Sequence, residues 1–288
     1  MVKFFLLVLL LSKILSAQES EMFNQFDQNV TLTPLESKIS NYLGVEKFNA
    51  NKQYIDILFT PLSAYDKNDH IDVVKVMQTL IQNKLFTLKL PYKQEIIVRL
   101  HTVGSGALFV KIMKDALRSS GYYRYKTLSS SFDGSKFVWS IELHLKKLPD
   151  IEKIAQELSK LGASFEDVEK LNEDEWSYSI DISHTLLDAI KVYGGEDVTL
   201  RHSLYAYWVN VTDIDHLVIE SSRRNSWYPQ VAVYDANLQL LKFIKRDKRT
   251  TRLGVSLPLN SRYIRISDIY TMKNIRDTLI LSPQLKSE

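Results

Sequence analysis

Between residues 204 and 270 the chain breaks into short β-patterned runs: 204–211, 216–221, 231–234, 238–244, 252–257 and 263–267. Turn formers stand between them, among them Asp213, Pro229, Asp235-Ala236-Asn237, Pro258 and Asn260. Side chains alternate between the two faces of a strand, and short strands at this spacing bury their apolar faces by packing sheet on sheet. The expected fold of the back of the chain is therefore an all-β sandwich or jelly roll.

The front mixes helix and strand signals. Thr33-Pro34 reads as an N-cap followed by proline at the first helical position, with Leu35, Ile39 and Leu43 on one face before Gly44. Residues 53–59 alternate as a strand, Asp69 can cap a helix over 71–83, and 85–90 and 95–103 read as strands separated by Pro91. Gly104-Ser105-Gly106 then leads into a helix over 107–118. A hairpin of 122–128 with 136–145 follows across Asp133-Gly134, then a helix over 151–161 and strands over 164–171 and 176–182. This β-α-β-β-α-β order predicts a ferredoxin-like layer with one extra strand, or repeated αββ modules, so the expected class is α+β.

The expected organisation is a signal peptide at 1–17, a tether and short helix at 18–52, α+β structure at 53–183, a linker at 184–200 around Gly194-Gly195, a β-sandwich at 201–283 and a tail at 284–288.

Lys3, the apolar run of residues 4–11 and the small residues Ser16-Ala17 form the tripartite pattern of a cleavable secretory signal. The run is shorter than the roughly 20 residues that span a bilayer, and no later stretch is apolar enough to do so. The expected product is periplasmic and not membrane-spanning once the signal is removed; an uncleaved N-terminal anchor is the alternative. Cysteine is absent, which excludes disulfides, a thiolate nucleophile and a thiolate metal site. From Arg201 onward there are 14 Lys+Arg against 8 Asp+Glu, whereas the part between the signal and Leu200 is net acidic. Such asymmetry points to an anionic partner for the back of the chain.

No residue pattern announces catalysis. The histidines at 70, 101, 144, 184, 202 and 216 lack metal-ligand spacing, and neither phosphate-loop pattern occurs. Ser105 sits between strand and helix like a nucleophile elbow, yet the Gly-x-Ser-x-Gly spacing is missing, and an N-cap role suffices. The acidic residues of 166–175 are not spaced as a calcium loop and read as a solvated face. No catalytic residue, metal or cofactor is expected.

Binding signals concentrate in the back. Alternation through 204–211 puts Tyr205, Tyr207, Val209 and Val211 on one face and Trp208 on the other, either against a second covering layer or as a platform. The segment Arg223-Arg224-Asn225-Ser226-Trp227-Tyr228-Pro229 sets two guanidinium groups beside two aromatics in a loop. That combination suits a carboxylate, a phosphate, a sugar or a protein surface. Lys242, Lys245, Arg246, Lys248, Arg249 and Arg252, opposed by Asp247 alone, bracket an expected hairpin turn that would meet an anionic envelope component. Nucleic acid is not an expected partner of an exported chain of nearly neutral charge.

Three stretches, Tyr207-Trp208-Val209-Asn210-Val211, Val231-Ala232-Val233-Tyr234-Asp235 and the strand within 262–270, resemble the jelly-roll modules appended to secreted bacterial proteins. The chain also resembles periplasmic proteins of spiral, polar-flagellated, Campylobacter-like bacteria, some of which scaffold enlarged flagellar motors. The resemblance implies an interaction or scaffold protein that docks on an envelope complex or on peptidoglycan. A carbohydrate-binding module is one alternative, requiring Trp208, Trp227 or Tyr228 exposed in a line or cleft. A glycan-acting hydrolase is another, requiring carboxylates that converge in a deep pocket between the halves.

Overall fold

The computed structural model describes residues 32–67 and 70–285. The expected signal, Asp69 as a helix cap and the end of the tail lie outside the described residues. What is described is a mixed α+β chain, richer in strand than in helix. It divides into two units, Met1–Asp56 and Ile57–Glu288.

In the first unit, helix α1 (Pro34–Leu43) starts as expected. Thr33 Oγ1 accepts from the Glu36 amide at 3.2 Å and the Glu36 carboxylate accepts from the Thr33 amide at 2.7 Å, a reciprocal box that satisfies two otherwise orphaned donors. Leu35, Ile39 and Tyr42 form its buried side, and Gly44, with φ of 84°, ends it. Helix α2 (Val45–Ala50) and helix α3 (Lys52–Leu58) follow. Helix α3 corrects the expected strand at 53–59. The apparent alternation is not used, since Ile57 is exposed between buried Ile55 and Phe59, which are four apart, while Lys52 pairs with Asp56 at the i,i+4 spacing of a helix.

The second unit begins with a 3-10 turn, Leu62–Tyr65, and the short ladder of β1 (Asp66–Lys67) with β2 (His70–Ile71). Helix α4 (Val73–Gln82) is capped by Asp72, whose Oδ1 accepts from the Lys75 amide at 3.0 Å, and it buries Val73, Val76, Met77 and Leu80. Next come β3 (Lys89–Val103), helix α5 (Gly106–Ser119), β4 (Lys126–Asp133), β5 (Lys136–Lys147), helix α6 (Ile151–Lys160), β6 (Ser164–Lys170) and β7 (Glu175–Asp181). Their sheet runs β4-β5-β3-β7-β6, antiparallel except where β7 lies parallel to β3. Residues 85–90 and 95–103, expected as two strands, contribute to one. Pro91 falls where the β3–β5 ladder shifts register between Lys89 and Gln94, so its missing N–H breaks no rung. The buried side of the sheet, with Ile96, Val98, Leu100, Trp139, Ile141, Leu143, Tyr178 and Ile180, alternates with half-exposed residues, which is the signature of one covered face.

The remainder forms two sheets around one core. The strands are β8 (Ile190–Lys191), β9 (Val198–Leu200), β10 (Tyr207–Asn210), β11 (Ile214–Ser221), β12 (Pro229–Tyr234), β13 (Leu240–Lys245), β14 (Arg252–Ser256), β15 (Tyr263–Asp268) and β16 (Leu279–Leu285). One sheet runs β13-β12-β15-β10-β8 and the other β14-β11-β16-β9. Val209, Val231, Val233, Ile264 and Ile266 of the first share a buried cluster with Leu217, Ile219, Leu253, Val255, Leu279 and Leu281 of the second.

The stretch 184–200, expected as a linker with a short docking helix, instead supplies β8 and β9, one to each sheet. Its glycines mark a close approach. A Cβ on Gly194 would stand 2.1 Å from Leu285 Cγ, and the Gly195 amide donates to the Pro283 carbonyl at 3.0 Å, so the pair is seated on β16.

Candidate functional site

The loop that the sequence marks most strongly is structural. Trp227 is wholly buried in the core between the two sheets, and its Nε1 donates to the Ser267 carbonyl at 3.0 Å. This corrects its expected role as a surface anchor: burying a large ring with its one polar atom satisfied outweighs leaving it exposed. Asn225 is buried beside it. Its Nδ2 donates to the Thr278 carbonyl at 2.9 Å and to Ser221 Oγ at 3.1 Å, while its Oδ1 accepts from the Asp277 amide at 2.8 Å. Arg249 is spent on the same loop, donating to the Asn225 and Arg223 carbonyls at 3.0 and 2.6 Å. Tyr228 is half-buried, edge-on to Tyr270 at 5.2 Å. Of the predicted loop set, Arg223 and Arg224 face water.

The basic run does not bracket a hairpin. Strand β13 pairs with β12 and β14 pairs with β11, so residues 246–251 carry the chain from the edge of one sheet to the edge of the other. Lys242, in the middle of β13, donates to the Ser256 carbonyl on β14 at 2.8 Å, and Arg252 faces Glu220 at 3.4 Å. Lys245, Arg246 and Lys248 remain exposed around a shallow hollow of about 470 Å³.

Trp208 leads to a different site. Strand β10 alternates as expected from Tyr207 on, with Tyr207 and Val209 buried in the core and Trp208 half-buried on the outer face, whereas Tyr205, expected on the core face, lies before the strand and is exposed. There it lies beside Tyr234, with ring centroids 5.5 Å apart, and beneath Lys111 of α5, whose Nζ is 5.5 Å from the ring centre. About two turns along the same helix, Arg118 stands 5.5 Å over the ring of Tyr205. Lys111, Lys114 and Arg118 are spaced three and four apart, which aligns them on one side of α5. The opposite side, Leu108, Phe109, Ile112, Met113, Ala116 and Leu117, is buried. The amphipathic pattern of α5 thus turns its cations toward the outer face of the five-stranded sheet.

Between them is a cleft of about 830 Å³, within the size range of ligand sites. Its walls carry Lys111, Lys114, Arg118, Lys160, Lys191 and Arg265 against Asp115, Glu157 and Asp188. Two of the carboxylates are engaged, Asp115 by Lys111 and Glu157 by Lys160, the latter at 2.6 Å. Arg265 sits directly across the ladder from Trp208. The remaining wall is apolar and includes Leu161, Leu186, Leu187 and Ala189.

Ser105 lies at the start of α5, its Oγ accepting from the Leu108 amide at 3.3 Å and donating to the Asn237 carbonyl. Gly106 is required there, because a Cβ would come within 2.6 Å of the Phe137 ring. Beside them is an uncharged hollow of about 760 Å³ reaching Phe132 and Gln239. Among the described residues no group of three or more His, Asp or Glu side chains could hold a metal ion, and no helix is long and apolar enough to cross a membrane.

The site therefore defines a strand-rich α+β chain with a cationic, aromatic-floored cleft. The chain matches no protein-family model and no curated protein.

Proposed function

We propose that this chain is a periplasmic, non-enzymatic interaction or scaffold protein that holds an anionic envelope component, with the cleft beside Trp208 as its principal contact and the Lys245, Arg246 and Lys248 corner as a second. The observation that carries the reading is the presentation of Lys111 and Arg118 on aromatic rings in a cleft where cations outnumber carboxylates. Export rests on the N-terminal signal pattern. A flagellar-motor assembly is one such component, suggested by the family resemblance. We read the helix-covered sheet as a ferredoxin-like layer in which β7 is the additional strand, supported by α5 connecting the parallel strands β3 and β4 on either side of β5. The two-sheet body is read as jelly-roll-like, supported by its shared core and by a chain path that crosses between the sheets.

A carbohydrate-binding reading is weaker. Sugars stack on bare ring faces, whereas Trp227 is buried, Tyr228 abuts Tyr270, and Trp208 lies between Lys111 and Tyr234. The hydrolase reading needs available paired carboxylates, and two of the three in the cleft are neutralised by lysines.

The test is photo-crosslinking in intact cells from residues placed at Lys114 and at Lys248, with and without Arg118→Glu and Lys191→Glu. A defined envelope component should crosslink at Lys114 and be lost in the charge-reversed variant. Capture of none at either position, or turnover of glycan by the purified chain, would overturn the reading.

A further inference from the structure

We propose that the cleft recognises an acidic peptide segment of a partner protein, with its carboxylates on Lys114, Arg118, Lys191 and Arg265 and its apolar side chains against Leu161 and Leu186. This rests on the binding role proposed above and names the ligand class. Three observations favour a peptide over an anionic glycan or a polyphosphate. First, cations and apolar side chains are interleaved on the same walls, and a ligand that satisfies both must carry both. Leu186 is 54% exposed at the rim, a large apolar surface that a polyphosphate would leave wet.

Second, the cations are preorganised for carboxylates. Arg118 Cζ stands 5.5 Å over the Tyr205 ring, which holds the guanidinium beside the cleft, and a planar guanidinium offers paired N–H groups to a carboxylate. Third, the five-stranded sheet ends at β8, whose residues Ile190 and Lys191 pair on one side with β10. A strand edge beside a charged groove is a site where an extended peptide adds its own backbone hydrogen bonds, which a polysaccharide lacks.

The readout is built into the site. Of the four tryptophans, Trp139, Trp176 and Trp227 are buried, and Trp208 alone lines the cleft. Titrating the full chain with a short synthetic peptide that alternates Glu and Leu should give a saturable change in tryptophan fluorescence. Trp208→Phe should abolish the signal while calorimetry still detects binding. Lys114→Glu with Arg118→Glu should weaken binding about tenfold or more, since two opposed charges replace two pairs of modest strength. Lys93→Glu with Lys146→Glu, exposed positions away from both the cleft and the corner, should leave it unchanged.

Equal affinity for the matching Gln–Leu peptide, no saturation up to about millimolar peptide, or an equal loss of binding in the Lys93→Glu, Lys146→Glu control would overturn the proposal. So would heparin or polyphosphate binding in the cleft where the peptide does not, and in that case crosslinking at Lys114 in cells would still stand. Because Lys114 and Arg118 are exposed, near-ultraviolet circular dichroism of the variants should match that of the parent. If it does not, Lys191→Glu, at the exposed sheet edge, replaces them and carries the same expectation.

Discussion

The indole of Trp227 is wholly buried and donates to the Ser267 carbonyl, while Arg223 and Arg224 in the same loop stand in water. Trp227→Ala should therefore cost about 3–5 kcal/mol, the range for a large aromatic removed from a core, whereas Arg223→Ala should stay within about 0.5 kcal/mol. Urea midpoints of the two variants check this. Two further side chains couple stability to acid in separate windows. His101 has a buried Nε2 with no partner among the described residues, and burial, then Lys136 and Arg99, hold its pKa below the ordinary 6.5. Above 6.5 it is neutral in both states. As pH falls through 6.5 the unfolded chain takes up a proton that the folded chain resists, so stability drops, and His101→Asn should flatten the denaturation midpoint between neutral and mildly acidic pH. Glu36, held by its hydrogen bond to Lys52 and then by the Thr33 amide, has its pKa lowered from 4.5 to about 2. Its contribution is complete above 4.5 and is lost as pH falls from there toward 2, a loss that Glu36→Gln should remove from acid titrations followed by helical circular dichroism.

At the level of elements, the devices written into contiguous residues are the ones the sequence reveals. The Thr33 cap, the Ser105 cap and the Asp133-Gly134 hairpin all rest on neighbours, and each occurs in the structure. Ser105→Ala should cost about 1 kcal/mol by removing a cap, measurable by thermal unfolding. Residues 53–59 mislead because a two-residue period competes with an i,i+4 ion pair, and among the described residues no strand pairs with them. The cleft was half legible: the spacing of Lys111, Lys114 and Arg118 can be read from the chain, and so can the outward turn of Trp208. That these two surfaces meet depends on tertiary placement, which no local pattern encodes. The Arg223–Pro229 composition promised a surface that the structure spends internally, because the acceptor for Trp227 lies forty residues away.

At the scale of the whole molecule, charge is arranged by contact as well as by position along the chain. Arg249, Lys242 and Arg252 secure loops and edges, while Lys114, Arg118 and Lys191 stand exposed at the cleft and Lys245, Arg246 and Lys248 at the corner. Association with an anionic partner should accordingly slow as ionic strength rises, because steering by exposed charge is screened beyond about 10 Å at 0.1 M salt; stopped-flow mixing with the Glu–Leu peptide measures it. Strand β16 adds a constraint of another kind. It lies inside its sheet, between β11 and β9, and Gly194-Gly195 rests on it. A ribosome or translocase delivers residues 190–278 before residues 279–285, so until that late segment emerges, β9 has no neighbour and one wall of the core stands open. The two-sheet body must wait, unclosed and dependent on whatever shields it, for residues 279–285 to arrive.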